Sequence, residues 1–115
     1  MAARDPTLDT LLDLHGQVLV IDDSGYWVRF VVQSVPATRE KPQGLDYSFT
    51  LHGPDGTRLA GFDNAHAVGR GRGGSHDHRH RLRTVRPYEY RDAGTLLADF
   101  WAEVEGVMRE LGVWT

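Results

Sequence analysis

A chain of 115 residues, 40% hydrophobic and 10% aromatic, is long enough for one modest core and too short for two, so a single folded domain spanning residues 1–115 is expected. The absence of cysteine excludes disulfides, thiolate catalysis and cysteine-based zinc sites, and the lack of a long apolar run or signal-like opening predicts a cytoplasmic protein away from membranes. A net charge of -3 conceals a bipolar layout: residues 70–91 hold seven of the thirteen basic residues against Asp77 and Glu89, a local basic strip that suits an anionic ligand.

In chain order, Thr7 to Leu14 spaces its leucines as a short N-terminal helix does, with Asp5-Pro6 at its start. Gln17 to Ile21 and Tyr26 to Val35 are rich in Val, Ile and aromatics around a turn at Asp22-Asp23-Ser24-Gly25, so they predict an antiparallel hairpin. Pro36 to Gly44, with the one lysine of the chain, is expected to be an exposed loop. Leu45 to His52 alternates strictly, Leu45, Tyr47, Phe49 and Leu51 on one face, and Gly53-Pro54-Asp55-Gly56 turns it back into Thr57 to Asp63. His80 to Arg86 alternates again as a basic strand ended by Pro87. Asp92 then caps a helix from Ala93 to Leu111, with Leu97, Phe100, Val104, Met108 and Leu111 as its apolar stripe and Gly112 as its stop. The expected fold is α+β: an antiparallel meander of about five strands packed against the long C-terminal helix, with a short N-terminal helix.

The residues that can carry chemistry concentrate between Gly61 and Arg91. On an extended strand His76, His78 and His80 share one face and Asp77, Arg79 and Arg81 the other. A glycine-rich loop, Gly69 to Ser75, joins them to Asp63-Asn64-Ala65-His66 at the end of the preceding strand, and the two segments are expected to converge. Cleavage of RNA through its 2′-hydroxyl needs a general base, a general acid and a cation near the developing phosphorane charge. His66 with His80 or His78 are the candidate acid-base pair, and Asp63 or Asn64 the group that orients an imidazole. Arg79 or Arg81, with Arg83 in the same strip, are candidates for binding phosphate, and Tyr88 for contacting the substrate. This reading is of a metal-independent endoribonuclease and calls for no cofactor. Two other readings stay open. One is a metal site on His76, His78 and His80 completed by His66 or Asp63. The other is a binding module without catalysis, with Tyr88, Tyr90 or Trp27 stacking on bases.

The run Gly61-Phe62-Asp63-Asn64-Ala65-His66, followed by a variable loop, by His78-Arg79-His80, and by a strand and a C-terminal helix, resembles the TumE-like toxins of bacterial type II toxin-antitoxin systems. The chain departs from that pattern at Asp77, where a further histidine is expected. The resemblance implies a growth-inhibiting toxin, an antitoxin partner that binds DNA, and a nucleic-acid target, and leaves homo-oligomerisation open. An acidic segment of such a partner is expected to cover Arg79, Arg81 or Arg83, leaving Asp99, Glu103 and Glu110 of the helix free.

Overall fold

The structure, a computed structural model, describes residues 5, 7–39, 41–64, 77–82 and 84–115. Six antiparallel strands, β1 (Val18–Val20), β2 (Trp27–Ser34), β3 (Leu45–His52), β4 (Arg58–Asp63), β5 (Asp77–Arg81) and β6 (Thr84–Tyr88), lie side by side in chain order. A short helix α1 (Leu8–Asp13) precedes them and a long helix α2 (Ala93–Glu110) follows. The fold is the expected α+β meander with one strand more. The additional strand arises because His80 to Arg86 is two strands, not one: the chain reverses at Leu82, which takes a positive φ of 51° with neither glycine nor asparagine to announce it. Pro87 lies inside β6 rather than ending a strand, and a sheet edge tolerates the missing donor.

Alternation makes β2 and β3 two-faced, and their inward residues build the core. Phe30, Phe49 and Phe62 stand opposite one another across β2, β3 and β4, and Phe100 of α2 sits on all three at centroid distances of 5.6, 5.7 and 6.2 Å. Edge-to-face contacts of this kind add to the burial of each ring. The stripe that α2 buries is Ala93, Leu96, Phe100, Val104, Val107 and Met108, rotated from the expected one: Leu97 is only partly covered and Leu111 is 43% exposed. α1 occupies the flank that draws the stripe round, with Leu11 fully buried.

Both ends of α2 are closed by named groups. The Asp92 side chain accepts from Thr95 N at 2.7 Å, and Asp5 Oδ2 accepts from Ala93 N at 2.7 Å while Asp5 Oδ1 accepts from Thr7 N at 3.0 Å. One carboxylate thereby serves orphan N–H groups at the starts of both helices. At the other end Gly112 adopts φ 78°, the conformation that stops a helix. Among the described residues no helix is long and apolar enough to cross a membrane.

Candidate active site on the open face of the sheet

The face of the sheet turned away from α2 carries the polar halves of the alternating strands. Register places Ser48, Asp63, His78 and Pro87 in one row and Thr50, Gly61, His80 and Val85 in the next. Asp63 is the hub. Its Oδ2 lies 2.9 Å from Nε2 of His80 and 3.3 Å from Nη2 of Arg58, and its Oδ1 lies 3.6 Å from Nδ1 of His78. Asp63 is only 8% exposed, so these attractions are little screened. An ionised carboxylate can only accept, so the short contact is a hydrogen bond donated by Nε2 of His80. The neutral ring then keeps its lone pair on Nδ1.

His80 is held below its ordinary value of 6.5. Burial disfavours the imidazolium first, and the charges of Arg58 and His78 push the same way, against the pull of Asp63. The fold therefore favours the neutral form of this imidazole.

Arg58 does not stand out in the sequence, and counting along the strand explains why. Residues 58, 60 and 62 share parity, which assigns Arg58 to the core face with Ala60 and Phe62. A bulge at Leu51/His52 breaks that parity and sets Arg58 opposite His52, on the open face. The guanidinium then crosses Gly61 to reach Asp63: a Cβ at position 61 would meet Nη2 of Arg58 at 3.0 Å. A cavity of about 190 Å³ lined by Arg58, His80, Leu82, Thr84 and Val85 adjoins this cluster.

The remaining sequence candidates fall elsewhere. Asn64 is fully buried, with Nδ2 donating to Leu45 O at 2.6 Å and Oδ1 accepting from Tyr47 N at 3.0 Å, so its amide continues the β3–β4 pairing past the end of the strand. Lys41 donates to Asn64 O at 3.0 Å and Oδ1 at 3.3 Å, which brings the loop expected to be exposed down onto this end of the sheet. Arg79 and Arg81 lie on the helix side, opposite the imidazoles, because β5 alternates: Arg81 pairs with Glu103 at 3.6 Å and Glu110 at 3.1 Å. Within the chain these helix acids are engaged, Asp99 included, since it accepts from Tyr88 Oη at 2.7 Å. Tyr88 is buried with its ring 4.7 Å from that of Phe62, and is turned into the core instead of towards a substrate. Its phenol is pushed up by burial and by Asp99, and stays protonated.

Asp77, at the position where the toxin pattern calls for a histidine, also faces the helix side. It is 4% exposed and accepts from Tyr47 Oη at 2.5 Å and Gln43 Nε2 at 3.2 Å. Trp27 is stacked on His52 at 4.0 Å. His66, His76 and Arg83 lie outside the described residues. Among the described residues no three His, Asp or Glu side chains are grouped to hold a metal ion.

No curated protein and no solved structure matches the chain. A family model described as Toxin TumE matches residues 8–108, which include all eight helices and strands apart from the last two residues of α2. The chain belongs to the TumE toxin family, and is thereby a toxin of a toxin-antitoxin system with an antitoxin as its partner.

Proposed function

We propose that the open face is the active site of an endoribonuclease that needs no metal. The observation that carries this reading is the 2.9 Å contact from Nε2 of His80 to Asp63, with His78 beside it. Asp63 orients the ring, leaving Nδ1 of His80 to take the proton of an RNA 2′-hydroxyl. The 2′-oxygen attacks the adjacent phosphorus, the bond from phosphorus to the 5′-oxygen breaks, and His78 protonates the departing oxygen. The products are a 2′,3′-cyclic phosphate and a 5′-hydroxyl. Arg58, which shares the Asp63 carboxylate with the pair, offsets the charge that builds on the phosphorane oxygens.

The test is cleavage of RNA by the purified chain, with end-group analysis of the products. His80→Ala is expected to slow cleavage by about 10²–10⁴, the usual worth of a positioned acid-base group, and to relieve growth inhibition, while chelator leaves the rate unchanged. Cleavage that persists in His80→Ala, or that chelator abolishes, would overturn the assignment.

A further inference from the structure

The cross-strand row that forms the centre of the core does not stop at β4. Phe30, Phe49 and Phe62 are continued on β5 and β6 by Arg79 and Arg86. α2 covers the aromatic part of the row. Beyond it the same face opens into a cavity of about 320 Å³ lined by Arg79, Arg81, Thr84, Arg86 and Glu103.

We infer that this cavity is a second phosphodiester subsite, holding a phosphate of the same RNA strand that is cut at His80; the inference rests on the reading above. Arg79 and Arg86 are direct cross-strand partners. Like charges in that position destabilise a sheet, and an anion lying between them removes the penalty. Among the described residues neither arginine meets a carboxylate within ion-pair distance. Arg81 differs, because Glu103 and Glu110 already hold it. The surplus charge of the cavity is therefore the Arg79–Arg86 pair, two planar guanidiniums suited to one phosphate.

Thr84 makes the case for an extended polyanion. It lines this cavity and also the one that contains His80 and Arg58 on the opposite face. The two cavities thus meet at the turn end of the β5–β6 hairpin, where Thr84 pairs with Arg81 and β6 is the last strand of the sheet. A strand of RNA seated at His80 can pass over that edge and place a neighbouring phosphate between Arg79 and Arg86. A lone small anion has no use for such continuity.

The experiment compares kcat/KM for a dinucleotide with that for an RNA of about 12 nucleotides, within the span of common single-strand sites, using the wild-type chain, Arg86→Gln and the Arg79→Gln, Arg86→Gln pair. Arg86→Gln is expected to lower kcat/KM on the long RNA by on the order of tenfold, the worth of one charge-assisted hydrogen bond, and to leave the dinucleotide unaffected. Its log-log salt dependence should become shallower by about 0.7, the slope that neutralising one phosphate of a single strand carries. The melting temperature should hold or rise, since a like-charge pair is relieved, which separates the effect from misfolding. Equal losses on both substrates, or none on the long RNA, would overturn the subsite while leaving the active site standing. If the wild-type chain cleaves neither RNA, the ribonuclease reading falls and the subsite with it. If Arg86→Gln cleaves long RNA normally but binds the antitoxin more weakly, the cavity belongs to an acidic protein segment and the inference is refuted.

Discussion

A methyl group at position 61 would lie 2.9 Å from the carbonyl oxygen of Phe49 and 3.0 Å from Nη2 of Arg58. The carbonyl belongs to the paired β3 backbone and cannot move aside, so Gly61→Ala is expected to destabilise the fold by about 1–3 kcal/mol and to displace Arg58 from Asp63. Chemical denaturation and RNA cleavage on the same samples check both effects. The titration of His80 gives a second test at this scale. Arg58 lowers its pKa and Asp63 raises it. Arg58→Gln should therefore move the acidic limb of the activity profile to higher pH, and Asp63→Asn to lower pH, as followed by the imidazole proton shifts of His80. Movement of either in the opposite direction would contradict the assignment of charges around the ring. That His78 and His80 share a face with each other and not with Arg79 or Arg81 was legible in the sequence, because a strand alternates with period two. That Arg58 joins them was not, because one bulge reverses the parity.

At the scale of elements, α2 is held by its ring at position 100 and by its cap. Phe100 touches three phenylalanines from three strands, so Phe100→Ala should destabilise the fold by about 3–5 kcal/mol, a large part of the roughly 5–15 kcal/mol typical of a domain. Asp5→Ala removes acceptors at two helix starts, and thermal unfolding should show a loss of about 1 kcal/mol or more. The start and stop of α2 could be read from Asp92 and Gly112. Its buried stripe could not be placed to within a residue, because Leu96 and Leu97 are equally apolar and the choice depends on where α1 lies. The split of β5 from β6 was hidden for a related reason. The segment HRLRTVR alternates throughout, and its reversal at Leu82 has none of the usual turn residues.

Across the whole molecule, stability should fall in two steps as pH is lowered. The fold favours neutral His80, so the stability it contributes is present above the unfolded value of 6.5 and is lost as pH falls towards the lower folded value. Asp55 and Asp92 are lowered from 3.8, chiefly by backbone hydrogen bonds from Thr57 and Thr95, so their contribution is lost only on further acidification through those lower values. Melting temperature against pH should show both steps, and His80→Gln should remove the first. A first step that survives in His80→Gln would mean that another group titrates there. The order of the elements, the meander and the pairing of an Asp63 segment with a His78–His80 segment follow from the sequence by itself, because period, turn chemistry and capping act over a few residues. The choice of Arg58 as the cation of the open face, the withdrawal of Asp77 and Tyr88 towards the helix side, and the joining of Arg79 to Arg86 required the tertiary structure. Each depends on the register of strands brought together from distant parts of the chain and on how far α2 extends across them, and a local pattern carries neither.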